Sequence, residues 1–116
     1  MNLQIQVLGE FTQVKPEGRL DFDAAPGFQQ SVERLFAGQA PAAVIIDGSG
    51  LEYVSSAGLR AVLLAAKAAQ RAGSAFALCA LQPAVREVFD LSGFSQIMAI
   101  HPDLETARAK LRAPRK

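Results

Sequence analysis

Residues 43–59 read Ala43-Val44-Ile45-Ile46-Asp47-Gly48-Ser49-Gly50-Leu51-Glu52-Tyr53-Val54-Ser55-Ser56-Ala57-Gly58-Leu59. The run 43–46 is continuously apolar and is closed by Asp47-Gly48, the pattern of a strand covered on both faces. At the other end, Ser55 or Ser56 stands where a helix begins. That helix runs to about Ala72, with Gly73 just past its end. Leu59, Val62, Leu63, Ala66 and Ala69 form its core stripe, while Arg60, Leu64, Lys67 and Arg71 fall on a separate face by helical spacing. A buried strand followed by a capped helix is the unit of an α/β fold.

The same periodicities extend both ways. Leu3, Ile5 and Val7 alternate with Gln4 and Gln6, which predicts a strand buried on one face. Gly9-Glu10 supplies a hairpin turn to a second, less regular run at 11–15. Pro16 followed by Gly18 predicts a bend or bulge there rather than a central strand. Phe28, Val32, Leu35 and Phe36 make one helical stripe, with Asp21 or Asp23 near its start and Gly38 past its end. Beyond residue 72, Ala75-Phe76-Ala77-Leu78-Cys79-Ala80 reads as another buried strand. Pro83, Val85, Val88 and Phe89 read as a helix stopped by Gly93, and Ile97-Met98-Ala99-Ile100 as a short last strand. A last helix is expected from Asp103 to about Leu111. The order ββαβαβαβα with short connections predicts a mixed sheet packed by helices.

With 116 residues, the chain has the length of one domain, expected over 1–113 with a short basic tail at 114–116. Half of the residues are apolar and a fifth are charged, the composition of a globular protein. Twelve Lys and Arg against eleven Asp and Glu leave a net charge of +1, no global field for nucleic acid or an anionic membrane. The single Cys79 excludes an internal disulfide and fits a reducing compartment. With no signal peptide pattern and no apolar run of membrane-spanning length, a cytoplasmic protein is expected.

The residues assemble no enzyme. A serine nucleophile on a strand-to-helix elbow needs Gly-x-Ser-x-Gly, and Val54-Ser55-Ser56-Ala57-Gly58 lacks the first glycine. The one histidine, His101, lies far along the chain beside Pro102. Gly48-Ser49-Gly50 lacks the Gly-Lys-Ser/Thr of a phosphate loop. Asp21 and Asp23 near a helix start suit capping and the helix dipole. No metal or cofactor site is expected, and Cys79 should be a small apolar core residue. The serines carry two readings. One is an N-cap, whose hydroxyl accepts an orphan N–H for about 1 kcal/mol. The other is a phosphoacceptor, because a helix N-terminus tolerates a charge of about −2 without unfolding.

Several segments then resemble one family. Gly18-Arg19-Leu20-Asp21, Val44-Ile45-Ile46-Asp47, the run from Leu51 to Leu59, Ala80-Leu81-Gln82-Pro83-Ala84-Val85 and Phe89-Asp90-Leu91-Ser92-Gly93-Phe94 are similar, in order and spacing, to the STAS domain of bacterial anti-sigma-factor antagonists. The resemblance covers nearly the whole chain. It implies the STAS fold, a mixed sheet of about four to five strands flanked by about four helices. It also implies partner switching. The unphosphorylated protein binds an anti-sigma factor that is a serine kinase of GHKL type, releasing that kinase's target. Phosphorylation ends the complex, and a metal-dependent serine/threonine phosphatase restores it.

The family's phosphoacceptor, the serine two residues before the glycine in Asp-Ser-Ser/Thr-Gly, falls on Ser56, with Ser55 as second candidate. Two positions depart from that pattern: Ser55 replaces the aspartate, and Ala57 replaces the following hydroxyl residue. Asp21 matches the Gly-x-Leu-Asp position and is expected beside the serine turn. The expected partner-binding set is Asp21, Ser55, Ser56, Gly58, Arg60, Leu64 and Lys67, with Leu64 as an exposed apolar centre among basic groups. An alternative is a non-switching STAS subunit of a larger assembly, such as a lipid-transport ABC complex or a stress-signalling scaffold, in which Ser56 would only cap a helix.

Overall fold

The computed structural model describes residues 1–112, so the tail at 114–116 lies outside the described residues. β1 (Asn2–Leu8) and β2 (Phe11–Leu20) form an antiparallel hairpin across Gly9-Glu10, with Gly9 at φ +67°. α1 (Ala25–Glu33) follows and tightens into a 3₁₀ turn at Arg34–Phe36. Then come β3 (Ala43–Asp47), β4 (Leu51–Val54), α2 (Ser56–Arg71), β5 (Ala75–Cys79) and α3 (Pro83–Leu91). A 3₁₀ turn at Phe94–Gln96 leads to β6 (Ala99–His101) and α4 (Leu104–Arg112). The strands form one mixed sheet in the order β1-β2-β3-β5-β6, and β4 pairs in parallel with β2 alone.

The sheet separates two apolar layers. Val44 and Ile46 of β3 face Phe28, Val32, Leu59, Val62, Val85 and Phe89 from α1, α2 and α3. Ala43 and Ile45 face the other way, with Phe11, Cys79 and Ala107 of α4. All five residues of β3 are buried, which is why its sequence is continuous rather than alternating. Cys79 is the apolar residue expected: burial above all, helped by the charges of Asp47 and Asp103, pushes its thiol up to about 12.

Four expectations are corrected. β2 runs unbroken for ten residues through a buried Pro16 and is a central strand. It switches partners there: its last pair with β3 is Val14↔Ile46 and its first with β4 is Gly18↔Leu51. Pro16 lies in the gap, where a ladder N–H is not needed. The expected bulge does occur, as a register shift between Gly18 and Arg19. β4 was not expected as a strand, because only its two ends are buried and Glu52 and Tyr53 are exposed. β1 is a strand, but its apolar face is covered only at Leu3, which packs half-buried against the core: Ile5 is 43% and Val7 75% exposed. Finally, the last strand begins at Ala99, not Ile97, and includes His101, which was expected in a loop.

Candidate functional site

The paired serines sit where the end of β4 turns into α2. Val54 pairs with Leu20, so the turn closes directly over the end of β2. Ser55 is the N-cap in extended conformation, φ −92° and ψ 175°, and its Oγ accepts a hydrogen bond from the Gly58 N–H at 3.1 Å. The same hydroxyl donates to the Leu20 carbonyl at 3.4 Å, and the Ser55 N–H donates to that carbonyl at 3.0 Å. Ser55 is therefore committed to structure on three sides. Ser56 is the first residue of α2 and is exposed. Its side chain points outward from a helix whose first turn carries no acidic residue. Such an end presents N–H groups and a positive dipole to an anion.

Gly58 is buried, and a Cβ there would collide with the Leu20 carbonyl oxygen and crowd the Leu20 and Val54 side chains. Only glycine lets the first turn of α2 seat on the end of β2. Gly58 was expected among partner-binding residues, but it is enclosed by Leu20 and Val54, so its task is to position the turn. Asp21 follows Leu20 at the strand end. Its Oδ1 accepts a hydrogen bond from the Ala24 N–H at 3.0 Å, and its carbonyl accepts from the Ala25 N–H at 3.0 Å. Of the two acidic candidates, Asp21 thus holds the entry to α1, while the N-cap position itself is Ala24.

Along α2, the buried residues are Gly58, Leu59, Ala61, Val62, Ala65 and Ala69. The core stripe is rotated from the expected one: Leu63 and Ala66 are half-buried and flank it. Leu64 is likewise half-buried, not the lone exposed leucine expected. Arg60, Lys67 and Arg71 are exposed. Lys67 is eleven residues past Ser56, about 16 Å along the helix, so the basic ridge runs away from the serine rather than clustering at it.

Sequence reasoning missed the aromatic flank of this turn. Arg19 of β2 stacks over the ring of Tyr53 on β4, 4.1 Å from its centroid, and Phe22, next to Asp21, is 77% exposed. The Arg19–Tyr53 pair follows from β2–β4 register, which nothing in a four-residue strand announces. Asp47, in contrast, is buried and structural: its carboxylate accepts from Gln13 Nε2 and from the Ser49 N–H, both at 3.0 Å. Among the described residues, no group of three or more His, Cys, Asp or Glu is placed to hold a metal ion. No described helix is long and apolar enough to cross a membrane.

A mixed sheet with three helices on one face, one on the other, and a serine turn at the head of α2 defines a known class. Residues 2–107 match the model of the STAS domain, and the chain belongs to that family. A Bordetella bronchiseptica protein named as an anti-sigma factor antagonist, BtrV, is 45% identical over 69 residues, and the match spans 60% of each chain. The structure resembles that of a Thermotoga maritima protein described as an anti-sigma factor antagonist, with TM-score 0.88, 20% identity, and coverage of 96% of this chain and 95% of that one. It also resembles the anti-sigma factor antagonist SpoIIAA in its unphosphorylated form, with TM-score 0.82, 21% identity, and coverage of 99% and 100%. Against the phosphorylated form of the Bacillus SpoIIAA, the TM-score is 0.73 at 21% identity, covering 96% and 100%. At such identities the structural likeness speaks for the fold.

Proposed function

We propose that this chain is an anti-sigma-factor antagonist working by partner switching. Unphosphorylated, it binds an anti-sigma factor that is also a serine kinase of GHKL type, and so frees that kinase's target. The kinase transfers a phosphoryl group to Ser56 Oγ, the complex dissociates, and a metal-dependent serine/threonine phosphatase hydrolyses the phosphoserine. The chain itself is a binding module rather than an enzyme, acting in the cytoplasm without nucleic acid or membrane.

The observation that carries this reading is the division of labour between two adjacent hydroxyls. Ser55 Oγ is held between the Gly58 N–H and the Leu20 carbonyl, whereas Ser56 is exposed at the dipole end of a sixteen-residue helix. A phosphate on Ser56 displaces no structural bond, and one on Ser55 would break the cap. The names of the relatives point the same way, toward antagonists of anti-sigma factors. Around Ser56, the partner surface we assign comprises Asp21, the serine turn, the exposed Arg60 and Lys67, and Leu64 at the flank. The test is incubation with the cognate kinase and ATP, followed by mass spectrometry of the peptide containing Ser55 and Ser56. One phosphate on Ser56 is expected. Label on Ser55 would overturn the residue assignment, and no label on either serine would leave the chain as a non-switching STAS subunit.

A further inference from the structure

β1 is an edge strand of unusual composition. It runs seven residues, Asn2-Leu3-Gln4-Ile5-Gln6-Val7-Leu8, pairs with β2 on one side, and among the described residues no strand pairs with its other side. Edge strands are ordinarily protected by lysine, proline, a bulge or a covering element. β1 has no charged residue, no proline and an unbroken register with β2. Its apolar face is covered only at Leu3, which is half-buried against the core, while Ile5 is 43% and Val7 75% exposed.

The hairpin fixes which backbone groups are free. Leu8 and Phe11 flank the two-residue turn, and in such a hairpin the flanking pair exchanges both hydrogen bonds. Pairs alternate from there, so Asn2, Gln4, Gln6 and Leu8 turn their N–H and C=O toward β2. Leu3, Ile5 and Val7 turn theirs outward. The exposed apolar residues Ile5 and Val7 thus also carry unpaired amides.

The strand is also self-complementary. From Leu3 to Val7 its apolar and amide residues read the same in both directions about Ile5, and only the outermost pair, Asn2 and Leu8, differs. We infer that this edge is a dimerisation seam for a second copy of the chain, with the two β1 strands antiparallel about a two-fold axis at Ile5. This register sets Ile5 against Ile5, Leu3 against Val7, and Gln4 against Gln6, and lets all six outward-turned residues exchange backbone hydrogen bonds. Apolar side chains then meet on one face and glutamine amides on the other, with no charge opposed to like charge. Opposite Leu3, the second copy's Val7 falls beside a cleft of about 300 Å³ whose apolar side is Leu3 and Phe28 and whose polar side is Asp23 and Ser31. A seam one strand wide belongs to the smallest interfaces, below about 1,200 Å² in total, so the dimer is weak and reversible.

The two-fold axis at residue 5 supplies the test. Sedimentation velocity of the full chain from about 10 μM to about 1 mM brackets a weak association. The wild type is expected to shift toward twice its monomer mass across that range. Ile5→Lys and Ile5→Glu, each placing like charges face to face, remain monomeric alone. An equimolar mixture of the two regains dimer, because residue 5 then meets its opposite charge. Circular dichroism and a thermal melt show whether each variant is folded. Val7→Lys, at a more exposed position, breaks the seam if either Ile5 variant does not fold. A wild type that stays monomeric at about 1 mM, variants that dimerise like wild type, or a mixture of folded variants that stays monomeric would each overturn the inference.

Discussion

Ser55 and Ser56 are adjacent residues of identical chemistry whose surroundings give them opposite tasks. Removing the Ser55 hydroxyl deprives the Gly58 N–H of its acceptor at the head of α2. Ser55→Ala is therefore expected to lower stability by about 1 kcal/mol, as loss of an N-cap does. Ser56→Ala, at an exposed position, should stay within about 0.5 kcal/mol of wild type. Chemical denaturation of the two variants checks this, and equal losses would contradict the assignment of the cap to Ser55. Asp21 separates charge from structure in the same way. Asp21→Asn keeps an oxygen to accept from the Ala24 N–H, so the melting temperature should hold within a few degrees while phosphorylation slows if the carboxylate helps orient Ser56 or a kinase-bound metal. A melt lowered as much as that of Asp21→Ala would make its role purely structural. These roles were only half legible in the sequence. A serine pair before a helical stripe announces a cap and a candidate acceptor, but assigning them needs the Leu20 carbonyl, thirty-five residues away in the chain.

At the scale of elements, periodicity located every strand and helix except β4, yet it misjudged what covers them. β3 and β5 are legible because continuous apolar runs can be satisfied only between two layers. β1 shows a regular alternation, but alternation reports a strand's two faces and not whether a helix lies over either. β4 has four residues with exposed centres, and its existence depends on β2 changing partners at Pro16. α2 was placed to within a residue at either end, through Ser55 and through Gly73, whose φ of +76° turns the chain so that the Ser74 N–H reaches back to the Ala69 carbonyl. Its faces were rotated: Leu64 is half-buried rather than exposed. The docking prediction changes accordingly. Leu64→Glu would place a charge at a half-buried position and confound binding with stability, whereas Arg60→Glu combined with Lys67→Glu alters exposed positions only. That double variant should retain its melt and lose at least about tenfold in affinity for the kinase, about 1.4 kcal/mol. Unchanged affinity by calorimetric titration would remove the α2 ridge from the partner surface.

For the molecule as a whole, the arrangement suits a switch of surface rather than of fold. The first turn of α2 is pinned by the Ser55 cap, by the Ser55 N–H on Leu20, and by Gly58 seated against Leu20 and Val54. None of these anchors uses the Ser56 side chain. A phosphate there adds a charge of about −2 beside the positive end of the helix, so it is tolerated locally while the formal net charge moves from +1 to about −1. A partner that covers the turn must either desolvate that charge or face it with its own acidic groups. Losing about 1,000-fold in affinity takes only about 4 kcal/mol, within the range measured for buried charges at interfaces. Phosphorylated and unphosphorylated protein should therefore melt within about 5 °C of each other, a difference near 1 kcal/mol for a domain of this size. Amide hydrogen exchange should change over residues 56–60 and remain slow in β3 and β5, where Val44, Ile45, Ile46 and Leu78 are buried. Faster exchange in those two central strands would mean that the phosphate acts by loosening the sheet, because an effect confined to the surface has no route to residues between the two apolar layers.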